Sequence, residues 1–167
     1  MTRQVENATP ELVRWLESTS NAMAPDVFMT LTFRISVTER DAIQAFGELH
    51  WRLSCYGFCN KEVKQGRRIQ CLPFLERGYG GRLHYHALLR LPDKFSEKPY
   101  AFKALVQKEW PRVRAVKIPG RPVCGGNPRH HDPTDQRWFL YENQGFTSEG
   151  GHNIIGYCLK TARQDGR

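Results

Sequence analysis

No apolar run in this 167-residue chain approaches the ~18–20 residues that a membrane-crossing helix needs. The opening segment, Met1-Thr2-Arg3-Gln4-Val5-Glu6-Asn7, has no apolar core of the kind a secretory signal carries. Both absences predict a cytoplasmic protein with no membrane partner. No regular cysteine framework is present: Cys55, Cys59, Cys71, Cys124 and Cys158 are irregularly spaced. Cys55 and Cys59 lie four apart on a helical pattern, but no second pair completes a zinc site. An odd number without a framework reads as free thiols of a reducing compartment. No internal repeat or low-complexity segment is present, and the length suits one domain, 1–167, with a sizeable core. Acidic side chains are in the minority, 17 against 25 Lys plus Arg, for a net charge of +8. A surplus of that sign suits a polyanionic partner, nucleic acid being the commonest.

Periodicity gives the order of elements. Thr9-Pro10-Glu11 carries the cap, first-turn proline and acid of a helix start, followed by Leu12, Trp15 and Leu16 at helical spacing. Val27 to Arg34 alternates and is rich in β-formers, which predicts a strand. Thr38-Glu39-Arg40-Asp41 caps a long helix bearing Ile43, Phe46, Leu49, Trp51 and Leu53. Ile69 to Glu76 is a second strand, and the glycine-rich 78–82 turns the chain into a third, Leu83 to Leu89. A helix is predicted over about Tyr100 to Trp110, short strands over Val113 to Ile118 and Trp138 to Tyr141, and a last helix over about Asn153 to Arg163. This βαββαββα order predicts an α+β fold, a central antiparallel sheet of about five strands flanked by helices.

Leu83-His84-Tyr85-His86-Ala87-Leu88-Leu89 is the segment richest in chemistry. Successive strand side chains alternate in direction, so His84 and His86 share one face while Tyr85 takes the other. Two imidazoles ~7 Å apart on a rigid sheet can grip one cation. The same pattern serves equally a half-buried strand with two solvated histidines. A third ligand depends on register. If Arg77 pairs with Leu83 across the loop 78–82, Glu76 lies opposite His84 on the same face. A slip of one residue would move it to the wrong side. Two histidines and one carboxylate would leave open positions suited to Mg²⁺ or Mn²⁺ acting on a phosphate.

In the last predicted helix, Asn153, Tyr157, Lys160 and Gln164 fall on one polar stripe, with Ile155, Leu159 and Ala162 on another side. Tyr157 is therefore a candidate nucleophile, with Lys160 one turn away to steady charge. A solvated Tyr/Lys pair would give the same spacing. Two basic clusters are candidate DNA contacts: Lys61, Lys64, Arg67 and Arg68, and then Arg112, Arg114, Lys117 and Arg121. His130-His131-Asp132, between Pro128 and Pro133, reads as a loop.

Three pieces fall in a recognisable order. Phe28-Met29-Thr30-Leu31-Thr32, His84-Tyr85-His86 and Tyr157-Cys158-Leu159-Lys160 resemble motifs I, II and III of HUH-family replication initiators (Rep endonucleases), over about residues 27–161. Glu76 matches the acidic ligand that such initiators often place shortly before the histidine pair. The resemblance implies an HUH endonuclease fold across 1–167, with residues 1–24 as an N-terminal helical extension. It implies a rolling-circle enzyme that nicks single-stranded or hairpin origin DNA. Mn²⁺ or Mg²⁺ would be held by Glu76, His84 and His86. Tyr157 would attack to leave a 5′-phosphotyrosine link and a free 3′-hydroxyl, Lys160 would position it, and the reverse step would rejoin strands. Thr30 and Thr32 are expected to be largely structural. No Walker motif is present, so a helicase or other host replication machinery would be a separate partner.

Two relatives depart by residue. Conjugative relaxases usually place their tyrosines before the histidines, whereas Tyr157 follows them. Single-tyrosine HUH transposases typically read Tyr-x-x-x-Gln, and position 161 is Thr. A transposase-like protein is the nearer alternative, and a non-catalytic basic nucleic-acid-binding module the alternative from another class.

Overall fold

A computed structural model describes residues 10–33, 36–77, 81–113 and 139–141. Their elements follow in the order α1 (Pro10–Met23), β1 (Val27–Thr32), α2 (Glu39–Gly57), α3 (Asn60–Lys64), β2 (Cys71–Arg77), β3 (Leu83–Leu89), α4 (Asp93–Ser96), α5 (Pro99–Glu109), a 3₁₀ turn (Trp110–Arg112) and β4 (Phe139–Tyr141). The strands form one sheet in the order β2-β3-β1-β4, and every neighbouring pair is antiparallel. The α+β class is as expected, with four strands among the described residues. Beyond Val113, the strand expected at Val113 to Ile118 lies outside them, as does the helix expected at Asn153 to Arg163.

Alternation gives the sheet two different faces. Val27, Met29, Leu31, Tyr85, Ala87 and Leu89 point to one side, where they join Ala42, Ala45, Phe46, Leu49 and Leu53 of α2 and Phe102 and Val106 of α5 in the main core. The α2 stripe exists because these apolar side chains recur at helical spacing. The helix is held in place at its start by Thr38, whose Oγ1 accepts from the Asp41 backbone N–H at 3.1 Å. Helices α2 and α5 are clamped by Glu109, only 2% exposed, which accepts from Arg52 Nη1 at 3.1 Å and Tyr56 Oη at 3.3 Å. Trp110 Nε1 donates to the Thr32 carbonyl at 3.1 Å, tying the 3₁₀ turn to the end of β1.

The opposite face is divided. At one end Phe28 and Leu88 are covered by Leu16 and Met23 of α1, with Leu72 and Phe74 packed alongside. The other end carries polar side chains. The N-terminal helix expected from Thr9-Pro10-Glu11 thus packs directly on the sheet rather than standing off it.

The start of the second strand differs from expectation for a physical reason. Strand β2 begins at Cys71 rather than Ile69. The Ile69 N–H donates to Ser54 Oγ at 3.2 Å and its carbonyl lies 2.7 Å from His50 Nε2, so α2 takes both backbone groups that a strand would use. The Cys55–Cys59 spacing does not lie on one helix: Cys55 is within α2, and Cys59 is the residue before α3.

Candidate metal centre

Strand β3 pairs with β2 on one side and β1 on the other, and the registers bring two cross-strand rows of the site into line. Glu76, His84 and Thr32 form one row, Phe74, His86 and Thr30 the next. Arg77 pairs with Leu83 and Glu76 with His84, the register under which a third ligand was expected. Pairing in this register puts Glu76, His84 and His86 on the face away from the main core.

The three side chains converge. Glu76 Oε2 lies 3.3 Å from His84 Nε2 and 3.4 Å from His86 Nε2. One donor atom from each residue lies within 4.8 Å of the other two. Donor atoms bound at ~2.1 Å to one cation stand ~3.0 Å apart on an octahedral edge and ~3.4 Å apart on a tetrahedral one. The two contacts match that spacing, and both are longer than the ~2.7–2.9 Å of a charge-assisted hydrogen bond. Two imidazoles and one carboxylate are ligands for borderline to hard divalent ions. The Glu76–His84–His86 group can therefore hold a metal ion. Glu76 and His86 are 7% and 5% exposed, and His84 is half-buried at the rim. A cation held by these three donors would keep further coordination positions for other ligands.

His86 is oriented by neighbours that donate nothing to the cation. Its Nδ1 lies 2.9 Å from Thr30 Oγ1. With Nε2 given to a cation, Nδ1 would be the nitrogen that carries the proton and would donate to the threonine, which would fix tautomer and ring plane together. The ring is stacked on Phe28, centroids 5.4 Å apart and planes 12° apart. His84 meets His86 edge-on, at 4.9 Å and 86°. Thr30 was expected to be structural, and this contact gives it a second role. Alternation alone placed Thr30 on a face of β1, but only the β1–β3 register shows that the face is the histidine face.

Tyr85, between the histidines, points into the main core, where it packs on Phe46 with centroids 4.6 Å apart. Burial pushes its phenol up to about 12. It is no nucleophile for the metal face. The expected nucleophile Tyr157 and its neighbour Lys160 lie outside the described residues, as do Arg114, Lys117, Arg121 and His130-His131-Asp132. Lys61, Lys64, Arg67 and Arg68 are exposed on and just after α3, on the helical side of the sheet. Arg67 pairs with Glu62 and lies 4.2 Å over the Phe58 ring, and Arg68 donates to the Val63 and Arg67 carbonyls. Arg112 pairs with Glu109 at 3.4 Å. The structure thus brings the three candidate metal ligands together, whereas Lys61, Lys64, Arg67 and Arg68 stand on the other side of the sheet.

Cys55, Cys59 and Cys71 are free thiols, and burial pushes the Cys71 thiol up to about 12. Among the described residues no helix is long and apolar enough to cross a membrane. No family model, curated protein or solved structure matches this chain.

Proposed function

We propose that this chain is a metal-dependent single-stranded DNA endonuclease and strand transferase of the HUH replication-initiator type. The observation that carries the reading is the convergence of Glu76 Oε2 on the Nε2 atoms of His84 and His86. The net charge of +8 and the order of the sequence motifs support a nucleic-acid substrate. Mg²⁺ or Mn²⁺, when bound, supplies Lewis-acid polarisation of a non-bridging phosphate oxygen. Glu76, His84 and His86 hold that ion on one side and leave the other for the scissile phosphate. Thr30 keeps His86 in the ligand orientation.

Tyr157 is the proposed nucleophile. Its Oη forms a bond to phosphorus as the bond from phosphorus to the 3′ oxygen breaks. The phenolic proton is lost, and the 3′ oxygen departs as a hydroxyl after taking up a proton. The product is a 5′-phosphotyrosine link, and attack on it by a 3′-hydroxyl reverses the step and joins strands. Lys160, three residues after Tyr157 in the sequence, steadies negative charge at the phosphate. The DNA is presented as a single strand or hairpin, and a helicase or host replication proteins act as partners.

Incubation with an origin-bearing single-stranded library and Mn²⁺ tests the reading. A protein–DNA band that survives denaturation is expected from wild type. Tyr157→Phe is expected to lose that band while still binding the library. Wild-type binding without any adduct would rule out the nuclease and favour a binding module.

A further inference from the structure

The helical side of the molecule carries a concavity that the metal-face chemistry does not use. Trp51, Cys55, Asn60, Val63, Lys64 and Arg68 line a cavity of about 330 Å³ between α2 and α3. That volume is at the small end for ligand sites, enough for one nucleotide-sized unit rather than several. Trp51 is 52% exposed although it belongs to the helix that carries the main core. Its indole is held on the outward side because the inward stripe of α2 is occupied by Phe46, Leu49 and Leu53. Val63 is buried and gives an apolar wall, and the Asn60 amide offers both a donor and an acceptor.

The two charged side chains that line the cavity are both cationic. Lys64 and Arg68 are exposed, and the Arg68 guanidinium is steadied by the Val63 and Arg67 carbonyls. The carboxylate of α3, Glu62, is occupied: it accepts from the Cys59 backbone N–H and pairs with Arg67. Those contacts hold its carboxyl below the usual range, the Cys59 N–H first among them. An exposed indole beside two cations is the pairing that single-stranded nucleic acids use, a stacked base next to a neutralised phosphate. An acidic peptide would engage the cations but has no need of the indole.

We propose that this cavity seats one nucleotide of a single DNA strand, with the base on Trp51 and its phosphate on Lys64 and Arg68. The site lies on the helical side of the sheet, whereas Glu76, His84 and His86 lie on the other. It holds DNA outside the region where the proposed chemistry occurs. The inference rests on the reading of the chain as a handler of single-stranded DNA, and not on the metal or the nucleophile.

The test uses fluorescence anisotropy of labelled oligothymidine with the full chain in EDTA, so that no cation contributes. Trp51→Ala is expected to weaken binding about 5- to 100-fold, the range of one lost base stack. Trp51→Phe should retain most of the affinity, and binding should quench tryptophan fluorescence in wild type more than in Trp51→Phe. Lys64→Gln should lower the salt slope by about 1. Free thymidine monophosphate should bind far more weakly than the oligonucleotide. Wild-type affinity in both Trp51→Ala and Arg68→Glu would overturn the proposal, as would a free nucleotide that binds as well as the strand. Covalent adduct with unaltered binding in these variants removes this site and spares the nuclease. No adduct, with binding lost in them, does the reverse.

Discussion

Thr30 Oγ1 lies 2.9 Å from His86 Nδ1, so a strand outside the candidate ligand set orients a side chain that belongs to it. Such partners of ligating histidines typically carry 10–100-fold in metal affinity. Thr30→Val preserves volume and β-branching but removes the hydroxyl. Calorimetric titration with Mn²⁺ is expected to show affinity reduced about 10- to 100-fold, with Thr30→Ser close to wild type. An unchanged affinity in Thr30→Val would reduce the contact to packing.

Glu76 supplies the only carboxylate of the Glu76–His84–His86 group, buried between two imidazole nitrogens. Mn²⁺ at about a hundred times its dissociation constant should stabilise the wild-type fold by about 2.7 kcal/mol, because the folded state alone holds the site together. Chemical denaturation with and without the ion reads this difference directly. In Glu76→Ala the metal-dependent increment should vanish while the metal-free protein still folds. Retention of the full increment would mean that some other residue is the third ligand.

The hairpin was legible in the sequence because its register follows from short-range facts: the loop 78–82 and the alternation of β2 and β3. Those facts put Glu76 opposite His84, and the pairing is found so. Thr30 was not legible in the same way. It lies 56 residues from His86, with α2, α3 and β2 between, and no local pattern sets the register of β1 on β3. The early end of the second strand failed for a related reason, since Ile69 gives its backbone groups to Ser54 and His50 of α2. The short α3 and α4 are below the length at which apolar periodicity declares a helix. Tyr157 was singled out by spacing and by resemblance, and its position lies outside the described residues.

Tyr85 gives a pH dependence with a definite sign. Burial raises its folded-state value to about 12 from an ordinary phenol near ~10. The folded state therefore keeps its proton where the unfolded state has lost it, and stability falls as pH rises above ~10. The contribution is complete below ~10 and is lost as pH climbs through about 12. Tyr85→Phe has no proton to lose, so urea midpoints should decline less steeply over that window than in wild type. Cys71, also raised to about 12 by burial, contributes a decline of the same sign in both proteins. Parallel alkaline profiles for the two would show that Tyr85 ionises without unfolding.

Gly47 and Gly57 lie in the same helix, and alanine should have opposite effects at the two positions. A Cβ at Gly47 meets nothing within 4 Å. Replacing an interior helical glycine there should stabilise by ~0.5–1 kcal/mol, through the lost freedom of the unfolded chain. At Gly57 the added carbon would fall 2.6 Å from Pro92 Cγ and 3.2 Å from Pro92 Cβ. The pyrrolidine ring has no rotamer in which to move aside, so the backbone between α2 and α4 must shift. Overpacking of this kind costs ~1–3 kcal/mol, which exceeds the helical gain. Thermal unfolding should thus raise the midpoint for Gly47→Ala and lower it for Gly57→Ala, by ~2–4 °C per kcal/mol in a chain of this size. A rise at both positions would mean that Pro92 yields more easily than its ring geometry allows.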